Sequence, residues 1–286
     1  MCIRDRRADA KETAAQWLAF QAVREVEVGN ASAARQVVAR ALALAPGRDV
    51  KVLSALALAR AGESSQSKTI MTELKKSEPS NTFLKVYWFP VLEASLAISQ
   101  HAPDRAVIAL EPALPYELGN PPPEAIGTLH PAYLRGLAYL DEKNGRAAAS
   151  EFQKFLDHPG IVQNFLIGSL AHLQLGRAYA ISGDPTKAKT GYKDFLVLWK
   201  DADPDIPILK EAKAEYAKLQ SIASKANPIR ARPTCDPLSY GSRWVGTNAH
   251  RTSRGRRPAD DPIQSPVHRR YVLARTHKSS WRQEGC

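Results

Sequence analysis

The sequence predicts an all-α fold, a right-handed superhelical solenoid of helical hairpins with a C-terminal capping helix and a disordered tail. Alanine and leucine, both strong helix formers, carry most of the apolar content in runs such as residues 39–45. Runs of β-branched residues bounded by turn residues, which would indicate strands, are nearly absent. A pattern of small and aromatic residues also recurs at a period typical of repeat architectures.

Residues 1–12 are expected to be an unstructured leader. The stretch from Met1 to Arg7 has no apolar core, so it is not a signal peptide. It differs in character from the rest of the chain and resembles translated adapter sequence, of the kind seen at the ends of assembled environmental reads. The predicted helical array therefore begins at residue 13 and continues to residue 224.

The clearest copy of the recurring pattern covers residues 175–195. Gly176 and Ala178 are small where two helices of a hairpin cross closely, Tyr179 fills the gap beside them, and Gly183 can take the left-handed conformation that ends a helix. Another copy lies 40 residues upstream. The residues that define the two copies are Gly136, Ala138, Tyr139, Ala148 and Phe152 in the upstream copy, and Gly176, Ala178, Tyr179, Gly183, Ala188 and Tyr192 in the downstream one.

Three further copies are weaker. Gly29 marks a turn and Pro46 the end of a first hairpin, and Gly62 and Pro79 repeat both features 33 residues later. The copy in residues 82–119 is degenerate. The five copies predict hairpins near residues 13–46, 48–79, 82–118, 129–158 and 168–200.

Prolines and charges mark the remaining boundaries. The run Pro121-Pro122-Pro123 cannot continue a helix, and it separates three hairpins from two. The acidic segment 201–207 favours the start of a helix through the helix dipole. Charges alternate along residues 208–223, as expected of a polar-faced helix that caps the open end of a solenoid.

The formal net charge of +11 is concentrated at the C-terminal end. Residues 226–286 hold eleven arginines, one lysine and four acidic residues, a net charge of +8, so the rest of the chain is near neutral. We predict that residues 225–286 form a disordered basic tail, because they cannot bury enough apolar surface to become ordered. Two alternatives stay open: a basic arm for nucleic acid or acidic partners, or non-native sequence read out of frame after Lys225.

The recurring pattern resembles the tetratricopeptide repeat, with Leu-Gly-x-Ala-Tyr on the first helix and Gly-Asp at the turn. More specifically, the stretches Phe152–Val162, His172–Tyr179 and Phe195–Leu209 resemble the C-terminal repeat region of acidobacterial-type bacterial serine/threonine protein kinases, over roughly residues 13–224. In that family a kinase domain precedes the repeats, often through one membrane-spanning helix. This chain has no Gly-rich phosphate loop, His-Arg-Asp loop or Asp-Phe-Gly site, so no catalytic residue can be carried over. The resemblance implies the sensory or docking half of a kinase.

In a solenoid of this kind, function sits on the concave face, lined by the first helices. An apolar groove with one arginine suits an amphipathic helix or an extended peptide. The Lys and Asn types that grip a C-terminal carboxylate in some tetratricopeptide proteins are missing. Alternatively, the chain's own neighbours fill part of the stripe, such as the helix around residues 87–89. The predicted groove residues are Val23, Val26, Val52, Leu56, Tyr133, Leu137, Leu140, Leu173 and Arg177.

The sequence indicates no catalytic, cofactor-binding or metal-binding residue and no small-molecule substrate. No two histidines have the i, i+4 spacing of a helical metal site, and the three cysteines are too scattered for a metal site or a disulfide framework. Asp201, Asp203 and Asp205 alternate as in a calcium loop, but the glycine and the closing glutamate of such a loop are absent. We therefore expect a protein that is not an enzyme.

Three functions remain in order of preference. The first is a protein-binding scaffold that holds a partner protein or peptide in its groove. The second is the regulatory fragment of a bacterial serine/threonine protein kinase in signal transduction, and the third is nucleic-acid binding through the basic tail. No apolar run reaches the roughly 18 residues needed to span a membrane. The expected location is the cytoplasm, or the periplasm if the array is attached to a membrane-spanning kinase.

Overall fold

The computed structural model describes residues 3–119 and 129–226, and helices dominate both ranges, with no strand in either. The prediction of an all-α fold is confirmed. The proline run at 121–123 and the predicted tail beyond residue 226 lie outside the described residues. In chain order the helices are α1 (Ile3–Glu27), α2 (Ala31–Leu44), α3 (Arg48–Arg60), α4 (Ser64–Ser77), α5 (Phe89–Ser99), α6 (Pro103–Ala109), α7 (His130–Asp141), α8 (Gly145–Asp157), α9 (Pro159–Val162), α10 (Leu166–Ile181), α11 (Pro185–Leu198) and α12 (Pro207–Ala226).

Ten of the described helices form five consecutive hairpins. Each hairpin packs two neighbouring helices together, and the pairs are α1–α2, α3–α4, α5–α6, α7–α8 and α10–α11. The first helix of each hairpin also packs against the first helix of the next, so that α1 contacts α3, α3 contacts α5, α5 contacts α7 and α7 contacts α10. These first helices therefore form a continuous layer. The last helix, α12, packs against α11.

All five hairpins close with the same turn. One residue has a left-handed backbone. Its N–H donates to the carbonyl three residues earlier, and the N–H of the following residue donates to the carbonyl five residues before itself, as in a Schellman motif. The left-handed residues are Gly29, Gly62, His101, Lys143 and Gly183, with φ between 53° and 93°. Three are glycines, as expected, whereas His101 and Lys143 hold the same conformation with a side chain. The third hairpin was degenerate in sequence partly because its turn residue is not glycine.

Helix α1 begins at Ile3, which differs from the expected unstructured leader over residues 1–12. Arginine, alanine and lysine fill most of residues 4–11, and all three are good helix formers. The absence of an apolar core argued against a signal peptide, but it does not argue against an exposed helix. Packing of α1 on α2 and α3 stabilises the C-terminal part of the same helix.

The first helix of the third hairpin contains a π-helical turn, Leu84–Trp88, directly before α5. Pro90 comes two residues after the end of this turn, and a proline has no N–H to donate to the hydrogen bonds of a helix. In this wider turn the N–H of Phe89 donates to the carbonyl of Leu84, five residues earlier. Asn81 starts this helical stretch by accepting a hydrogen bond from the N–H of Leu84 at 3.2 Å. A 3₁₀ turn, Glu111–Tyr116, ends the hairpin after α6.

The described side chains form two apolar cores. The first core belongs to α1–α6, with Leu134 and Ala138 of α7, and the second belongs to α7–α12. Leu137 packs against both. Within the second core, a Cβ at Gly136 would lie 2.6 Å from the ring of Phe152, and one at Gly176 would lie 3.0 Å from Tyr192. The small and aromatic residues of the recurring pattern are therefore direct packing partners.

Candidate functional site

A cavity of about 610 Å³ opens between the first helices and α12. Each of the five hairpins contributes residues at the C-terminal end of its first helix, α7 and α10 also contribute Tyr133 and Gln174 from further back, and α12 contributes its N-terminal half. Tyr192 of α11 completes the wall. The lining residues are Val26, Glu27, Gly29, Arg60, Ile98, His101, Tyr133, Leu137, Leu140, Asp141, Lys143, Gln174, Arg177, Ala180, Ile181, Tyr192, Ile208, Glu211 and Glu215.

The structure brings five of the predicted groove residues to this cavity and leaves four in the cores. Val26, Tyr133, Leu137, Leu140 and Arg177 line it. Of these five, Tyr133 is only 1% exposed and also belongs to the second core. The other four do not line the cavity and are at most 4% exposed: Val23, Val52, Leu56 and Leu173.

Three of the buried positions, Val52, Leu56 and Leu173, lie in the middle of their helices, whereas Val23 lies near the C-terminal end of α1. Ala55, Ala57 and Ala59 of α3 are all fully buried, so the helices on either side cover this one. Tyr87 and Trp88 belong to the same core as Val52 and Leu56. The chain's own residues thus fill part of the predicted groove, and most of the first-helix residues that border the cavity lie towards the C-terminal ends of their helices.

A bidentate ion pair joins α1 to α3 at the cavity wall. Arg60 donates from Nε to Oε1 of Glu27 at 3.0 Å and from Nη2 to Oε2 at 3.2 Å. The Glu27 side chain is only 3% exposed. Burial opposes the charge on Arg60, but the Glu27 carboxylate outweighs it and raises the pKa of Arg60. Arg60 therefore stays charged, and its two hydrogen bonds to Glu27 fix the ends of two neighbouring first helices.

A second charged cluster joins α10 to α12. Arg177 donates to Glu215 from Nε at 2.9 Å and from Nη2 at 2.8 Å, and Nη2 also reaches Glu211 at 3.3 Å. The hydroxyl of Tyr192 donates to the Glu215 carboxylate at 2.8 Å. Burial, and then this hydrogen bond, raise the pKa of Tyr192, so it remains a neutral donor. Both carboxylate oxygens of Glu215 are therefore occupied.

Two buried titratable groups of α7 lie near the first ion pair. His130 is 2% exposed, and neither of its ring nitrogens has a hydrogen-bond partner among the described residues. Burial lowers its pKa to about 4; nearby Glu27 opposes this shift and Arg60 adds to it. Tyr133 is 1% exposed, and burial raises its pKa. Both side chains are consequently uncharged at neutral pH.

The rim carries His101 and Lys143, the two hairpin-turn residues that are left-handed without being glycine; Leu129 and Gln163, which also have a positive φ, do not line the cavity. His101 is 86% exposed, and its Nδ1 lies 3.5 Å from a carboxylate oxygen of Asp141 at the end of α7. Lys143 is exposed in the turn after α7. Both border the cavity, as does the left-handed Gly29, whereas Gly62 and Gly183 do not.

Sequence reasoning missed Glu27, Arg60 and Glu215. Glu27 and Arg60 each stand two residues before the left-handed glycine of their turn, so they occupy equivalent positions of adjacent hairpins. Opposite charges at equivalent positions of neighbouring repeats are a signal that could have revealed this pair. Glu215 is one of several alternating charges on α12, and nothing in the sequence distinguishes it.

The described ranges contain no group of three histidine, cysteine or acidic side chains placed to hold a metal ion, and none of their helices is long and apolar enough to cross a membrane. Asp203 and Asp205 instead shape the start of α12: Oδ1 of Asp203 accepts from the N–H of Asp205 at 3.0 Å, and Asp205 pairs with Lys210 at 2.9 Å.

Comparison of the chain with protein-family models, with curated proteins and with solved structures finds no match. Any functional assignment therefore depends on the residues that surround the cavity.

Proposed function

We propose that this chain is a tetratricopeptide-type scaffold that binds a short extended segment of a partner protein in the central cavity. The observation that carries the proposal is the cavity itself, to which all five hairpins and α12 contribute residues. Five hairpins with one shared turn geometry and a continuous layer of first helices support the repeat architecture.

The size of the cavity suits a short segment of a partner chain. The cavity holds about 610 Å³, within the range of clefts that bind small ligands or a few residues. An extended stretch of a few residues fits this volume, and its backbone groups can hydrogen-bond to the polar wall.

The lining combines apolar side chains with charges, most of which are paired. Ile98, Leu137 and Leu140 are among the apolar contributors. Arg60 and Arg177 point their guanidinium groups at carboxylates of the same wall, whereas Lys143 at the rim has no ion pair among the described residues. The inner wall therefore suits a segment with apolar side chains, and Lys143 can pair with a carboxylate of that segment at the rim.

The strained turn residues support a binding role for the rim. A residue with a Cβ in the left-handed region costs about 1–2 kcal/mol relative to the right-handed one, and glycine removes this cost. His101 and Lys143 bear it at the two turns that place a side chain at the cavity. Strained residues of this kind cluster at ligand-binding sites.

Site-specific photo-crosslinking tests the proposal. A photoreactive phenylalanine analogue at Leu140 lies in the cavity, and the same analogue at Val197, which is 59% exposed on α11 and does not line the cavity, is the matched control. In cells of the source organism, we expect discrete adducts at 140, mapped by mass spectrometry to one extended segment of a partner, and none of them at 197. Identical adducts at both positions, or none at 140, would refute binding in the cavity.

A further inference from the structure

The first hairpin meets the last helix at a small contact, which we call the clasp; it consists of Val28, Gly29, Pro207 and Ile208. The N–H of Ile208 donates to the carbonyl of Val28 at 3.2 Å. Gly29 lies so close to Pro207 that a Cβ at residue 29 would be 2.9 Å from the Cβ of Pro207. The Val28 side chain packs against the second core, to which Ile208 belongs. The clasp thus links residues 180 positions apart.

The clasp is narrow compared with the other link between the two cores. On that other side, α7 packs along both α5 and α6, and Leu134, Leu137 and Ala138 contribute to the first core. At the clasp, the one backbone hydrogen bond is joined by no ion pair or side-chain hydrogen bond between described residues. A contact with so few buried groups opens at a lower free energy than a helix interface.

The cavity lies beside the clasp. Val26, Glu27 and Gly29 border it from the first hairpin, and Ile208 and Glu211 border it from α12. Separation of the clasp would therefore widen the cavity along one edge, while the packing of α7 on α5 and α6 keeps the two cores together. Hinged closure of two bodies around a site is an established form of protein motion.

We propose that the clasp is a gate: residues 28–29 separate from residues 207–208, the two cores turn about the contact of α7 with α5 and α6, and the cavity opens to admit the partner segment. The opening itself is a property of the fold and needs no ligand. Its role in admitting a segment rests on the proposed function.

The amide of Ile208 reports directly on the gate. Helix α12 begins at Pro207, and the first N–H groups of a helix have no acceptor within it. The hydrogen bond to Val28 is thus what protects the Ile208 amide from exchange with solvent. The next two amides, of Leu209 and Lys210, bond locally to the carbonyl of Ile206. Opening of the clasp exposes Ile208 alone, whereas fraying of α12 exposes all three.

Two glycines provide a matched pair of variants. Gly29 and Gly62 occupy the same position in the first and second turns, with φ of 93° and 83°. A Cβ at Gly62 meets nothing within 4 Å, whereas one at Gly29 collides with Pro207. Gly29→Ala and Gly62→Ala therefore share the backbone strain of a left-handed alanine, and only Gly29→Ala forces the clasp apart.

Amide exchange of the full chain, followed by NMR, decides whether the clasp opens. We expect the Ile208 amide of the unmodified protein to be protected, and its exchange to rise at least about tenfold in Gly29→Ala, with Leu209 and Lys210 unchanged. Gly62→Ala should leave the Ile208 rate as it is. An unprotected Ile208 in the unmodified protein, equal acceleration by Gly62→Ala, or joint acceleration of all three amides would overturn the gate.

A disulfide tests what the gate does. In a chain with Cys2, Cys235 and Cys286 replaced by serine, Val28→Cys with Ile208→Cys locks the clasp under oxidising conditions and frees it on reduction. With the photoreactive residue at position 140, we expect the partner adduct to fall at least about fivefold in the locked form and to return on reduction. Equal adduct in both forms would leave cavity binding standing and reject the gate. No adduct in either form would reject cavity binding, and the exchange rates would then decide the opening of the clasp.

Discussion

Arg177 of α10 and Glu215 of α12 face each other through two hydrogen bonds of 2.8 and 2.9 Å, in a geometry that uses both carboxylate oxygens. Arg177 is 23% exposed and Glu215 is 34% exposed, so solvent screens the pair only in part. Tyr192 donates to the same carboxylate. The pair fixes the last helix against the fifth hairpin and thereby positions one wall of the cavity.

Replacing Arg177 with methionine should destabilise the protein by about 1–3 kcal/mol, because Glu215 is left partly buried without its cationic partner. The methionine keeps most of the apolar stem, so the loss reports on the charge. Chemical denaturation in urea at pH 7 measures it. The control is Glu211→Gln, whose carboxylate is 61% exposed and lies 3.3 Å from Arg177; this change should stay within about 0.5 kcal/mol. Equal losses in the two variants would contradict the assignment.

The buried histidine predicts a loss of stability in mild acid. The pKa of His130 is about 4 in the folded chain, below its ordinary value of about 6.5, so the unfolded chain binds the proton more readily. The neutral His130 therefore contributes to the free energy of unfolding fully above pH 6.5. This contribution is lost as the pH falls towards 4, by about 3 kcal/mol in total. Unfolding free energies measured from pH 7.5 to 4 should show this slope.

His130→Leu should remove most of that slope, since the ring nitrogens have no partner to lose. His101→Asn is the control: its side chain is 86% exposed, and asparagine tolerates the left-handed backbone. That variant should keep the slope of the unmodified protein. A slope that survives in His130→Leu would assign the acid sensitivity to other groups.

The strained rim predicts opposite effects on stability and binding. His101→Gly and Lys143→Gly relieve left-handed strain, so each should stabilise the chain by about 0.5–1 kcal/mol. Each should also reduce the partner adduct at position 140, because a rim side chain is lost. Thermal melts and the crosslinking yield measure the two effects. A variant that is stabilised but keeps the crosslinking yield would contradict a binding role for that rim side chain.

The close approach of α7 and α8 predicts that Gly136→Ala is destabilising by about 1–3 kcal/mol, because the new methyl group must displace the Phe152 ring from a packed core. Gly160 offers the comparison: a Cβ there meets nothing within 4 Å, so Gly160→Ala should be neutral or slightly stabilising. Denaturation midpoints of the two variants check this. Tolerance of alanine at 136 would mean that the helices can separate there without loss.

The helical hairpins were predictable because their signals are local. Gly136 and Gly176 mark the close crossings, and Gly29, Gly62 and Gly183 mark three of the five turns, where a left-handed residue is needed. The other two turns carry histidine and lysine in the same conformation, so the pattern weakens there. The all-α class followed from composition and periodicity, and the helical start of α1 did not follow from either.

The candidate site was predictable only in part, because helical periodicity predicts which face of a helix points inward but not how deeply each residue on that face is buried. Leu137 and Leu56 both fall on the inner face of a first helix, yet Leu137 borders the cavity and Leu56 is 1% exposed in the core. Which of the two reaches open space depends on how close the neighbouring helices lie. The clasp forms only because the angles between successive hairpins bring α12 back to the first hairpin. No local sequence pattern predicts the sum of these angles.

The hydrogen bond between Ile208 and Val28 also bears on how such a chain can evolve. An open array tolerates the duplication or loss of a unit, because each unit contacts only its neighbours. Here the two ends of the array touch, so one more hairpin, or one fewer, would carry residue 208 away from residue 28. A chain that gains or loses a hairpin would therefore have to give up this contact, whereas substitutions and changes in loop length can leave it in place.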